Sequence, residues 1–167
     1  EEIDPAFEAV DALPVIEDGR AKAIVIMGSL WGETAPTTTY ASTIYAEIIL
    51  DAGGAIPLED DADERAVMLV HGEASVDGID LKLYELAVLQ PGRDMTLASD
   101  TGARVILLGG EAFQTERHAW WNFVSSSRER IQQAKEDWRK GRFPIVPGDE
   151  EEFIPLPDGE PNTVTYP

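Results

Sequence analysis

The densest chemistry in this chain is the acidic run Glu59-Asp60-Asp61-Ala62-Asp63-Glu64. Its carboxylates supply hard oxygen donors of the kind that suit Ca²⁺ or Mg²⁺. The run lacks the spaced Asp/Asn-Gly-Glu order of a calcium loop, so weak ion condensation on a solvated loop is the expectation. The two histidines, His71 and His118, would have to converge with an acid to form a facial triad. His71 precedes Gly72 at an expected strand end, and His118 sits among tryptophans, so a turn role and a packing role are expected instead. Ser125, Ser126 and Ser127 raise the question of a nucleophile. None stands in a strained strand-turn-helix elbow, and their position suits helix capping. Gly109-Gly110 lacks the dinucleotide fingerprint and its following helix, and there is no Walker sequence. With no cysteine there is no disulfide, thiolate nucleophile or Cys-based metal site.

Large aromatics gather late in the chain. Trp120, Trp121, Phe123 and Trp138 could form a binding patch, but the apolar area they carry favours burial in packing or in an interface. The elements that would position all these groups are mostly strands. Ala23–Met27 and Thr43–Leu50 read as strands, with Ile44, Ala46, Ile48 and Leu50 on one face. Short strands follow at Ala55–Leu58, Arg65–Val70, Ala74–Val76, Ile79–Leu83, Leu86–Leu89, Met95–Leu97 and Arg104–Leu108. Turns at Gly53-Gly54, Asp77-Gly78 and Gln90-Pro91-Gly92-Arg93 separate them. This spacing predicts a compact antiparallel barrel or sandwich.

One helix follows. Ser126 and Glu129 have capping-box spacing, with Ser125 and Ser127 as alternative caps. Ser127, Ile131, Ala134 and Trp138 trace one face, while Arg128, Arg130, Lys135, Glu136 and Arg139 lie mainly elsewhere. Gly141 suits the position just past the helix end. Four segments are expected: a lead-in over 1–20, a β-barrel over 21–124, a buttressing helix over 125–141 and an extended tail over 142–167.

The 167 residues carry 32 acids against 13 bases, a formal charge of −19. That charge repels nucleic-acid phosphates and anionic membranes, so neither is an expected direct partner. No apolar run approaches the roughly 20 residues that span a bilayer, and the acidic N-terminus lacks a basic secretory signal. Together with the absence of cysteine, this predicts a cytoplasmic protein.

The order Gly109-Gly110-Glu111, His118-Ala119-Trp120-Trp121-Asn122-Phe123-Val124-Ser125-Ser126, the helix over Glu129–Trp138 and Gly141-Arg142-Phe143-Pro144 through Pro147-Gly148-Asp149-Glu150 resembles the pirin family. The match is to the C-terminal half of a pirin-like protein and runs from about Phe7 to about Pro157. The resemblance implies an all-β cupin fold, a double-stranded β-helix (jelly-roll) barrel, with one C-terminal helix. In the family this barrel follows an N-terminal cupin whose metal, commonly iron, is held by three histidines and one glutamate. The family includes bacterial quercetin 2,3-dioxygenases and an iron-dependent transcriptional coregulator.

Laying the metal-binding cupin pattern from Gly53 to Gly72 puts Glu59 and Asp61 at the two histidine positions and Arg65 at the glutamate. The second motif, through Gln90-Pro91-Gly92, puts Met95 at its histidine. The resemblance therefore implies a vestigial site with no catalytic, cofactor-binding or metal residue in this chain. Iron or another divalent metal is expected only in an N-terminal cupin. The leading expectation is a non-catalytic domain that packs on that cupin or, in its absence, on a second copy as a homodimer. Any quercetin 2,3-dioxygenase-like or redox-regulatory function would belong to the full-length protein. The alternatives are a single-cupin binding module acting through its cavity or aromatic segment and, last, an independent enzyme with a carboxylate–histidine site.

Overall fold

The computed structural model describes residues 3–4, 6–157 and 163–166. Glu1, Glu2 and Pro5 of the lead-in, and residues 158–162 and Pro167 of the tail, lie outside the described residues. The chain divides into two compact units, Pro5–Ala112 and Phe113–Pro167, the second including Glu1–Asp4.

The first unit is built from strands. They are β1 (Val15–Asp18), β2 (Ala21–Met27), β3 (Ser29–Leu30), β4 (Glu33–Thr34), β5 (Thr43–Leu50) and β6 (Gly54–Leu58). Then come β7 (Glu64–Gly72), β8 (Ser75–Val76), β9 (Ile79–Asp80), β10 (Leu86–Val88), β11 (Met95–Ser99) and β12 (Ala103–Gly110). A six-stranded sheet runs β1-β2-β5-β12-β7-β10, and a four-stranded sheet runs β6-β11-β8-β9. Neighbouring strands in both are antiparallel. Period-two alternation buries Ile44, Ala46, Ile48 and Leu50 on β5. Val67 and Leu69 of β7, and Val105 and Leu107 of β12, join them in one core with Ile56, Leu58, Val76 and Leu97 of the other sheet.

The expected barrel is not formed, because no sheet closes on itself. The six-stranded sheet ends at β1 and β10, and the four-stranded sheet ends at β6 and β9. Closure requires the outermost strands to pair, with tilt and stagger to match. Here β1, β9 and β10 are only four, two and three residues long. Pro57 on β6 has no N–H to extend a ladder, which suits an edge. Charged residues such as Glu17, Asp18 and Asp80 blunt the other ends. The architecture is an open two-sheet sandwich of antiparallel strands. The segment after Gly28 holds the β3–β4 hairpin. Its two-residue turn, Trp31-Gly32, has positive φ at both positions, the geometry that matches strand twist.

The second unit contains β13 (Arg117–Trp120), β14 (Phe123–Ser125), α1 (Arg128–Arg139) and β15 (Val164–Tyr166). Strand β13 lies between β14 and β15. Of the three serines it is Ser127 that caps α1, accepting from the Arg130 N–H at 3.3 Å. Its own hydroxyl donates to Glu129 at 2.8 Å. The helix ends in a Schellman motif, with Gly141 N–H donating to Trp138 O at 3.1 Å and Arg142 N–H to Asp137 O at 2.8 Å. Gly141 takes φ +63° there, in the left-handed region this motif requires.

Both ends of α1 depend on ionised acids. Hydrogen bonds from its own backbone N–H and then from Ser127 hold the Glu129 carboxyl below its ordinary value of 4.5. Lys140 does the same for Glu136, and Arg142 for Asp137. Groups with depressed folded-state values stabilise above the unfolded value, and that contribution is lost as pH falls through the folded one. The helical ellipticity of the chain is therefore expected to weaken below about pH 4. A Glu129→Gln/Asp137→Asn double variant should lose less helix on acidification than the native chain. Equal acid sensitivity of the two proteins would contradict this account.

Candidate functional site

Strand β7 alternates inward at Arg65, Val67 and Leu69, so its first inward side chain is a charged one. Arg65 is only 3 % exposed. Burying a guanidinium is costly unless its charge and its donors are matched. Here Nη1 donates to the Leu58 and Glu59 carbonyls at 3.0 and 2.6 Å. Nη2 donates to the Gln90 and Arg93 carbonyls at 3.2 and 2.8 Å. It also pairs with the Asp60 carboxylate at 2.8 Å. Nε is buried without a hydrogen-bond partner.

The chain supplies this arrangement locally. Leu58 ends β6, the β6–β7 connection carries Glu59 and Asp60, and the β10–β11 turn carries Gln90 and Arg93. Two further bonds lock the loops together, Asp60 N–H to Asp94 Oδ1 at 2.9 Å and Gly92 N–H to Asp60 Oδ1 at 3.1 Å. Arg93 in turn pairs with Asp77, which also accepts the Thr96 N–H at 2.8 Å.

The four motif positions therefore fall at one end of the sandwich but do not share a role. Arg65 is the buried centre. Glu59 contributes its backbone carbonyl, while its side chain and that of Asp61 belong to exposed residues. Met95 is half-buried, paired with Leu58 across β11 and β6 and packed on the core. Sequence reading did not single out Asp60 or the carbonyls of Gln90 and Arg93. An acid five residues before an inward-facing arginine was the available signal for Asp60. Backbone carbonyls leave no trace in side-chain identity.

The histidines do not add a site. His71 is exposed at the end of β7, opposite Arg104, in the first unit. His118 belongs to the second unit, is buried on β13, and its Nδ1 lies 3.1 Å from the Thr165 hydroxyl. Arg128 donates to that hydroxyl at 2.8 Å. Ser125 is buried and accepts the Ser127 N–H at 3.1 Å, a structural use of its hydroxyl.

The aromatic residues cluster within the second unit. Trp120 stacks on Phe123 with centroids 6.1 Å apart, and Trp121 meets Trp138 edge-on at 5.2 Å. Lys135 is buried, its Nζ 4.3 Å from the Trp120 ring centroid. This differs from the expectation that Lys135 faces away. It sits one turn from buried Ile131, and its long apolar stem lets the ammonium reach the ring face. Beside Trp138, a pocket of about 370 Å³ is lined by Phe143, Val146, Phe153 and Ile154.

Residues 45–144 match the family of pirin C-terminal cupin domains. The chain belongs to the pirin family. It is 39 % identical over 161 residues to a pirin-like protein of Caulobacter vibrioides, covering 95 % of this chain and 56 % of that protein. It is 34 % identical over 142 residues to a Pseudomonas aeruginosa protein provisionally named quercetin 2,3-dioxygenase, covering 84 % of this chain and 45 % of that protein. A crystal structure of quercetin 2,3-dioxygenase from Acinetobacter baumannii superposes with a TM-score of 0.78 at 29 % identity, over 96 % of this chain and 56 % of that one. The chain thus spans about half the length of the curated relatives it matches.

For a pirin cupin the implied group is a metal ion, and the residues here do not fit one. Arg65, which the resemblance lays at the motif's glutamate position, is a buried cation whose charge opposes a second one. Met95 offers a soft thioether unsuited to hard Fe(II) or Mg²⁺. Among the described residues, no group of three or more His, Cys, Asp or Glu is arranged to hold a metal ion.

Proposed function

We propose that this chain is the metal-free, non-catalytic half of a two-cupin pirin-like protein, whose other half carries the metal chemistry. The observation that carries the reading is Arg65: a buried guanidinium bonded to four carbonyls and a carboxylate stands where the family motif has its glutamate ligand. Relatives roughly twice as long leave room for a further domain. Their names support a quercetin 2,3-dioxygenase-like activity for the whole protein, with iron or another divalent ion in the N-terminal cupin. Redox regulation is the other family function open to it. The partner is then that cupin or, where it is absent, a second copy of this chain. Direct contact with nucleic acid is disfavoured by the charge of −19. Among the described residues no helix is long and apolar enough to cross a membrane. A reducing cytoplasmic setting suits a chain without cysteine.

Metal analysis tests this reading directly. The purified chain, incubated with Fe(II) and then desalted, is expected to retain far less than one equivalent and to leave quercetin unoxidised. A tightly held stoichiometric transition metal would sink the proposal. A second reading, a binding module, draws support from the pocket beside Trp138, where Phe153 and Ile154 are exposed.

A further inference from the structure

We propose that the Arg65 guanidinium is a resident cation that cross-links the two motif loops, and that it fills an oxygen-lined site which accepts a soluble cation once the side chain is removed. The inference rests on the reading of this domain as a cupin without its metal, and extends it to what replaced the ion.

Five oxygens converge on two nitrogens. Three come from the end of β6 and the connection after it: the carbonyls of Leu58 and Glu59 and the carboxylate of Asp60. Two come from the β10–β11 turn: the carbonyls of Gln90 and Arg93. Carbonyl oxygens gathered around the two ends of one group repel each other unless positive charge sits between them. A planar guanidinium satisfies several acceptors at once, which a lysine ammonium on a flexible stem does less well. The loops are otherwise tied by Asp60 to Asp94 and Gly92, both on the rim of the same cluster. Arg65 is therefore the buried part of the fastening.

The donor set also says what could take its place. All five ligands are oxygens, four of them neutral carbonyls and one a carboxylate. Hard cations that tolerate irregular oxygen shells, Ca²⁺ above all, suit such a set, with water completing the shell. Iron and zinc, which favour imidazole or thiolate, gain little from it. A small alkylguanidinium restores the lost group itself. The strongly acidic surface raises the local concentration of any cation, so bulk screening has to be separated from site binding.

The test is thermal unfolding of the native chain and of Arg65→Ala, each with ethylguanidinium, Ca²⁺ or tetramethylammonium at matched ionic strength. Without added cation, Arg65→Ala is expected to unfold about 5–10 °C below the native chain. Millimolar ethylguanidinium or Ca²⁺ should return part of that loss, and tetramethylammonium should not. The native chain, its site filled, should gain no more from the first two than from the third. Recovery no greater than with tetramethylammonium, or equal gains in both proteins, overturns the proposal. If Arg65→Ala does not fold alone, refolding in ethylguanidinium or Ca²⁺ is expected to yield folded chain, and failure with every cation counts against it. Arg65→Lys should unfold between the two; a lysine variant as stable as the native chain removes the case for the guanidinium. Failed rescue leaves the non-catalytic reading intact, whereas stoichiometric iron in the native chain sinks that reading whatever the rescue shows.

Discussion

Replacing Trp120 with alanine is expected to destabilise the second unit by about 3–5 kcal/mol, the range for deleting a buried large aromatic. Trp120 is 3 % exposed, stacked on Phe123 and edge-on to Trp121. Its ring also receives the buried Lys135 ammonium. Truncation removes that face and leaves the ammonium beside a cavity, which adds to the loss. Trp121 makes a useful contrast, because it is 38 % exposed and occupies a turn with φ +52°. Its edge-on contacts with Trp138 and Phe123 predict a smaller cost for Trp121→Ala, about 1–2 kcal/mol. Urea unfolding, with hydrogen exchange read over β13–β15 and α1, measures both. Should Trp120→Ala keep native stability while losing capture of a partner or ligand, the segment is a recognition surface and the packing reading fails.

The sequence carried the sandwich core plainly, because period-two alternation in β5 is a local signal. Ile44, Ala46, Ile48 and Leu50 share a face in the sequence and are buried together in the structure. The helix was equally legible at its C-terminus, where Gly141 and the Schellman bonds sit. What the sequence could not carry was pairing between distant segments. Whether β1 meets β10 or stops short is decided by edge length and charge, so a closed barrel and an open sandwich look alike in a run of short strands. Strand β15 shows the same limit: Val164–Tyr166 pairs with Arg117–Ala119, a contact that an extended tail alone does not reveal. The candidate site was half legible. The resemblance laid Arg65 at the motif's glutamate position, but only the convergence of distant carbonyls explains its burial. Lys135 was misplaced for the same reason, since a cation–π contact on an inner helix face is invisible to a polarity pattern.

The cupin motif's own glycines separate backbone necessity from ligand chemistry. Gly72→Ala is expected to cost about 2–5 kcal/mol, combining the left-handed penalty with overpacking. Gly72 has φ +80°, and a Cβ there would lie 2.2 Å from the Gly102 carbonyl oxygen and 2.9 Å from Ala103 Cα. Both atoms are backbone in the neighbouring β12 segment, so relief requires the β7–β12 ladder to shift at Gly72–Ala103. Gly53 has a similar φ of +75°, but its added Cβ would meet only the Arg20 guanidinium, at 2.8 Å. That group is the movable end of a side chain bonded to the Ala52 carbonyl. Gly53→Ala should therefore cost about 1–2 kcal/mol, mostly from backbone strain. Urea denaturation of the two variants distinguishes the cases, and equal losses would show that the close approach at Gly72 is not what requires glycine there. Neither expected cost involves Glu59, Asp61, Arg65 or Met95, the residues that the resemblance lays at the motif's ligand positions. Between Gly53 and Gly72, Glu59 and Asp61 are exposed and Arg65 is a buried charge, so the expected glycine costs come from the backbone frame alone.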